Sequence, residues 1–200
     1  MGRNFFVGVC ILLALMACHS SEDKSIFPSD LQLLPGDVVF RQGSGLDSRA
    51  VLTIDRNSCY SHIGIVVDSA GHPMIVHAVP GEPDYPGDVD RIKMDDPATF
   101  FLHSRAQVGE VMRPKQQGKA IKAAQTALRL YHQGIPFDHD YNDQDSSAMY
   151  CTELIFSVFQ SAGILLTEAP KYEIHFPFHF SGYLPSQLHS SPELQAVRAF

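Results

Sequence analysis

The chain has 200 residues, enough for one domain with a sizeable core, and 44% of them are hydrophobic. Fifteen basic residues against 22 acidic ones give a net charge of −7. That balance argues against a nucleic-acid binder, whose affinity rests on Lys and Arg neutralising phosphates. Thirteen Phe and seven Tyr with no Trp suggest an aromatic-rich core or pocket.

The first element is a targeting segment. Arg3 supplies a positive start, and Phe5 to Met16 form an apolar run. The run is too short to span a bilayer, which needs roughly 20 residues. It ends in "LMAC", which resembles a bacterial lipobox with Cys18 as the lipidated, palmitate-type first residue of the mature chain. Residues 1–17 then read as a lipoprotein signal peptide, 18–32 as a lipidated polar tether, and 33–200 as one catalytic domain. Cleavage removes Arg3 and leaves 14 basic against 22 acidic residues, a net −8. The expected address is the periplasmic side of a bacterial cell envelope. The outer membrane is favoured, because His19 rather than Asp follows Cys18.

"LLPGDVVFRQ" (33–42) places a Pro-Gly-Asp turn before a short apolar run and reads as a first strand. Residues 43–58 read as loop or a short helix around "AVLTI". "YSHIGIVV" (60–67) and "PMIVHAV" (73–79) read as two strands of a hairpin, with "DSAG" (68–71) as a four-residue loop. That register sets His62 directly opposite His77 on one face of the sheet. Gly64, on the same face, leaves room for close approach of another element beside His62.

"PGEPDYPGD" (80–88) is a loop, "VDRIKM" (89–94) alternates as a strand, and "AQVGEVMRP" (106–114) is a further strand. Over 115–133 the period becomes helical, with Ile121, Ala124, Leu128 and Tyr131 recurring and Gly134 as the stop. In the acidic loop 135–145, Asp138, Asp140 and Asn142 echo a calcium loop. Asp143 and Met149 stand where its Gly and bidentate Glu are required, so no calcium is expected.

Residues 147–162 read as a second helix, capped by Ser146 or Ser147 and ended by Gly163. Cys151, Ile155, Val158 and Ala162 share one face, so the thiol points toward the protein body. Unpaired N–H groups and the positive dipole end at a helix start lower a thiol's pKa and can hold an oxyanion. Glu153 lies about 200° around the helix from Cys151 and reads as support for the helix start. The last stretch, "YEIHFPFHFSGYLPSQL", has no clear period. Pro177 argues against a zinc-binding helix through His175 and His179.

A nucleophilic cysteine needs a histidine base and an orienting partner. "GDVVF", "SHIGIVV", "IVHAV" and the late "YCTELIF" together resemble the YiiX/YaeF-type group. These are circularly permuted papain-like cysteine hydrolases, related to NlpC-type peptidases and to the lecithin–retinol acyltransferase group. The resemblance covers roughly residues 33–190. It implies an α+β fold in which an antiparallel sheet packs against the helix that carries the nucleophile. It also implies Cys151 as nucleophile, His62 as general base and His77 at the third, polar position, with Tyr150 and Glu153 in support. Thr152 departs from the expected "YCSEL", and the third position varies between relatives.

The leading expectation is an envelope thiol hydrolase acting on amide bonds, such as those of peptidoglycan peptides, as a monomer without cofactor or metal. Three rivals accompany it. One is an acyltransferase or lipase at the membrane surface. Another is a zinc site built from Cys151, His62 and His77. The last is an inactive binding module, with Cys151 locked to Cys59 in a disulfide.

Overall fold

The computed structural model describes residues 23–142, 147–174 and 180–200. Cys18, Ser146, His175 and His179 lie outside them. Six strands form one antiparallel sheet: β1 (Val38–Arg41), β2 (His62–Ser69), β3 (His72–Val79), β4 (Arg91–Asp95), β5 (Gly109–Pro114) and β8 (Leu194–Ala199), in the order β4-β3-β2-β1-β5-β8. Between β5 and β8 the chain forms α3 (Gln117–Gln133), α4 (Cys151–Ser161), a small β6–β7 ribbon (Tyr172–Ile174, Phe180–Gly182) and α5 (Pro185–His189). Two shorter helices, α1 (Leu46–Ile54) and α2 (Pro97–Phe100), sit in the connections that follow β1 and β4.

The period-2 alternation of β2 and β3 divides two cores. Ile63, Ile65, Val67, Val76 and Ala78 pack on one face against α3 and α4. Val39, Val66 and Ile75 pack on the other against Phe100, Phe101 and the N-terminal segment through Ile26, Phe27, Leu31 and Leu33. The polar tether read for residues 18–32 is therefore docked on the domain from Asp23 onward. The Phe27 ring stacks on Phe101 at 5.6 Å, and the Ile26 N–H donates to the Phe101 carbonyl at 2.9 Å.

The β2–β3 hairpin closes in two residues, not four. Ser69 pairs with His72, and Ala70 (φ 54°) and Gly71 (φ 84°) form the turn. Positive φ at both central positions matches the twist of the flanking strands. The register moves by two residues from the expected one, so Gly64 lies across from His77. A Cβ on Gly64 would come within 3.3 Å of the His77 Cβ and 2.7 Å of Ile75 Cγ2. The close approach that Gly64 permits comes from both neighbouring strands, β3 through Ile75 and His77 and β1 through Val39, whose Cγ2 would also lie at 3.3 Å.

The α3 helix ends at Gly134 (φ 67°) as expected, but its core stripe is Ala120, Ala123, Ala124 and Ala127. Ile121 is 40% exposed. Small side chains let α3 lie close on β2 and α4; the larger apolar residues of the expected face sit at its margins.

Candidate active site

The helix that carries the cysteine starts later than expected. Its first residue is Cys151, and Tyr150, in extended conformation, precedes it as N-cap; residues 147–150 are not helical. The Glu153 carboxylate turns back to accept from the Tyr150 N–H at 3.4 Å, satisfying a helix-start donor. The Thr152 hydroxyl donates to the Tyr183 carbonyl at 2.7 Å and pins the first turn to the chain after β7. Gly182 makes room there, since a Cβ on it would lie 1.8 Å from the Tyr150 hydroxyl.

Cys151 and His62 open on the same cleft, of about 380 Å³, together with Arg41, Ser61, Glu82 and Tyr150. His62 and His77 lie on the sheet face opposite α4 and next to Phe100, whose ring is 5.7 Å from His62 and 4.9 Å from His77. His62 Nε2 faces His77 Nδ1 at 2.9 Å, and His77 Nε2 faces Asp95 Oδ2 at 3.2 Å. All three side chains are buried.

The partners assign the tautomers. A carboxylate only accepts, so His77 carries its proton on Nε2 and presents the Nδ1 lone pair. His62 must then donate from Nε2, which leaves its Nδ1 bare as the free base of the chain. Burial raises the Asp95 carboxyl, but His77, Lys93 and Arg105 outweigh it and hold Asp95 down at about 2. Arg105 Nη1 lies 3.1 Å from Asp95 Oδ2. Asp95 is the site residue absent from the sequence reading, in which the strand stops at Met94.

Arg41 is the buried cation of the site. It pairs with His62 in register, lies 4.4 Å over the Phe100 ring, donates to the Phe100 carbonyl at 2.6 Å and also bonds Glu82. Its charge acts on both His62 and Cys151. Burial, then Arg41 and then His77 hold His62 well below the usual histidine value. Burial also lowers His77, against its bond to Asp95.

For Cys151 the expectation of a depressed pKa is overturned. Burial pushes the thiol up to about 11, while the N–H groups of Ile63, Thr152 and Cys151 and the charge of Arg41 pull the other way. Desolvation thus pushes each group toward its neutral form, the thiol of Cys151 and the imidazole of His62 alike.

Tyr141 is an aromatic of the loop 135–145 to which the sequence assigns no role. It holds a left-handed backbone (φ 51°), uncommon for an aromatic, and lines the cleft with its ring 5.5 Å from Tyr150. Cys59 is exposed, and Cys59 and Cys151 are both free thiols, so the locking disulfide is absent.

Two sheet histidines that precede a cysteine-bearing helix, on an antiparallel sheet, define a papain-like cysteine hydrolase in circularly permuted order. The model of the family described as permuted papain-like amidase enzyme, YaeF/YiiX, C92 family, matches residues 32–198, and the chain belongs to that family. It is thus a cysteine peptidase or amidase, acting on amide bonds. Among solved structures it is similar to the crystal structure of the metalloprotein YiiX from Escherichia coli O157:H7. The identity is 21% and the TM-score 0.67, over 84% of this chain and 98% of that one. That likeness carries the fold. No curated protein matches.

The zinc reading fits these residues poorly. It needs the thiol and both imidazoles around one ion, whereas His77 has both ring nitrogens engaged, one by His62 and one by Asp95. Among the described residues, no three His, Cys, Asp or Glu side chains are grouped to hold a metal ion.

Proposed function

We propose that the protein is a lipid-anchored amidase of the bacterial cell envelope, in which Cys151 is the nucleophile and His62 the general base. The observation that carries this reading is the buried chain Asp95–His77–His62, which engages only Nε2 of His62, while His62 and Cys151 line one cleft. As the sulfur attacks the amide carbonyl, its proton passes to His62 Nδ1. The N–H groups of Cys151 and Thr152, which act on the sulfur at rest, hold the oxyanion that develops at the positive end of α4. His62 then protonates the leaving amine, the C–N bond breaks, and a thioester on Cys151 remains. Water, losing a proton to His62, hydrolyses the thioester to the acid and restores the thiol. His77 and Asp95 touch no reacting atom; they orient His62 and fix its tautomer.

Peptidoglycan peptides are the substrates this reading favours, because the expected lipid anchor would hold the site beside them. The test is incubation of the protein with peptidoglycan fragments and mass analysis of the products. New amine and carboxyl termini, absent with Cys151→Ser and with His62→Ala, are the expected result. Cleavage that persists in Cys151→Ser would sink the mechanism.

Acyl transfer between lipids is the rival reading. An apolar slot adjoins the cleft between Val51, Ile54, Tyr141, Phe180 and Leu184, but it measures about 100 Å³. That volume takes a short apolar group rather than a full acyl chain, which favours a peptide-like amide.

A further inference from the structure

We infer that the rim of the catalytic cleft is seated on the bilayer surface, which sets the mouth of the cleft at the headgroup boundary. This rests on the reading of Cys18 as a lipidated residue.

The first support is where the described chain begins. Asp23 Oδ1 accepts from the Ser104 N–H at 3.1 Å, and its other carboxylate oxygen takes the Ser104 hydroxyl. The Lys24 carbonyl accepts from the His103 N–H at 2.8 Å, and the Ser25 hydroxyl donates to the Phe101 carbonyl at 3.2 Å. Residues 23–26 are thus strapped along 101–104, and Ser104 and Arg105 are walls of the cleft. Cys18 is five residues upstream of Asp23. Fully extended, five residues reach about 17 Å. An acyl anchor on Cys18 therefore holds this wall of the cleft within that distance of the membrane, and the docked strap leaves no longer leash.

The second support is what the rim exposes. The Ser44 hydroxyl donates to the Ser104 carbonyl at 2.6 Å, which joins the start of α1 to the same wall. Two residues on, Leu46 is 80% exposed. The loop that begins with Pro80–Pro83, which also lines the cleft and is tied to Arg105 through Glu82 at 3.3 Å, carries Tyr85, 58% exposed, and Val89, 69% exposed. These are the three most exposed large hydrophobic side chains among the described residues, and they stand on or just beyond two of the segments that line the cleft. With a net charge of −8 after cleavage, the domain gains no general attraction to anionic lipid. Apolar contact beside a tethered anchor is the interaction left to orient it. Tyr and aliphatic side chains are suited to the headgroup boundary.

The test uses the full-length, processed protein carrying Cys59→Ser and Cys151→Ser, reconstituted in vesicles of phosphatidylethanolamine and phosphatidylglycerol. A polarity-sensitive fluorophore is placed by Leu46→Cys, Tyr85→Cys or Val89→Cys, with Ile121→Cys on α3 as the distant control. Nitroxide-labelled lipids then quench each probe. Quenching at 46, 85 and 89 at least about threefold stronger than at 121 is expected of a rim seated at the interface. Equal quenching at all four positions, or stronger quenching at 121, overturns the inference. Mass analysis of Cys18 separates the causes of failure. A bare thiol removes the anchor reading and this inference together, whereas an acylated Cys18 with unquenched rim probes removes the inference alone. Because Cys151 is replaced throughout, no outcome depends on the amidase mechanism.

Discussion

His62 and His77 stand diagonally across the β2–β3 ladder, with His62 Nε2 2.9 Å from His77 Nδ1. The diagonal matters because His77 reaches Asp95 with its other nitrogen while the chain engages only Nε2 of His62. Asp95→Asn replaces the sole acceptor by an amide that can donate. His77 then loses its forced tautomer, and the lone pair that receives the His62 proton is no longer assured. The expected loss in kcat is about 100-fold or more, since a wrong tautomer in a catalytic histidine chain is severe. Imidazole ¹⁵N shifts provide the readout that a merely structural role would not move. In the parent His77 is protonated on Nε2, and in the variant that signal shifts or splits. An unchanged tautomer with full activity would remove Asp95 from the chain.

The thiol of Cys151, pushed up to about 11, predicts how it reacts. At pH 7 a group with that pKa is ionised to only about one part in 10⁴. Alkylation by iodoacetamide, in protein carrying Cys59→Ser, is expected to climb steadily from pH 7 to pH 10 with no plateau near neutrality. A plateau below pH 7 would show that a thiolate–imidazolium pair exists at rest. His62 would then be charged despite its burial and the nearby Arg41.

How much of this site is legible in the sequence depends on what a misplaced register disturbs. A shift of two residues leaves every side chain on its own face, so His62 and His77 are readable as neighbours even with the wrong loop length. Ala70 conceals the two-residue turn, because positive φ there is ordinarily read from Gly or Asn. Asp95 is missed because a strand is sought by its apolar members. The alternation of Arg91, Lys93 and Asp95 with Ile92 and Met94 is nevertheless in the sequence, and a charged face flanking two histidines is the signal for it. The pKa of Cys151 is not legible, because position in a helix gives the dipole term but not the depth of the cleft. Beyond residue 163 the elements are short, and β8 shows no apolar alternation, since its residues after Leu194 are exposed.

Stability should fall with acid. His62 and His77 both have pKa values depressed in the folded state, so the unfolded chain binds more protons once pH drops below about 6.5. The stability these groups contribute is complete above that value and is lost as pH falls through it toward their folded values. Asp95 adds a second loss at lower pH, between its ordinary 3.8 and about 2. Urea unfolding at pH 7.5, 6 and 5 is expected to show a falling midpoint, and His62→Gln should flatten the upper part of the fall. A midpoint constant from pH 7.5 to 5 would contradict the neutral, buried histidine pair.

Gly182 offers a test of how Cys151, the proposed nucleophile, is positioned. A Cβ there would lie 1.8 Å from the Tyr150 hydroxyl and 3.0 Å from its Cζ, so Gly182→Ala forces the Tyr150 ring to move. Tyr150 is the residue immediately before Cys151, and its ring packs among Tyr141 and Phe180 at 5.5 and 5.9 Å. The ring cannot shift freely, and part of the strain passes to the backbone that holds Cys151. Overpacking of this kind costs about 1–3 kcal/mol of stability. The expected signature is a loss of kcat larger than the loss of stability, because a displacement near 1 Å at the nucleophile can cost about 100-fold. Tyr150→Phe removes the atom at 1.8 Å and should restore part of the activity of Gly182→Ala, while the Cζ contact keeps the rescue incomplete. The measurements are kcat and the urea midpoint for the two single variants and the double variant. If Tyr150→Phe rescues nothing, the clash is absorbed elsewhere, and Gly182 does not set the position of Cys151 through this ring.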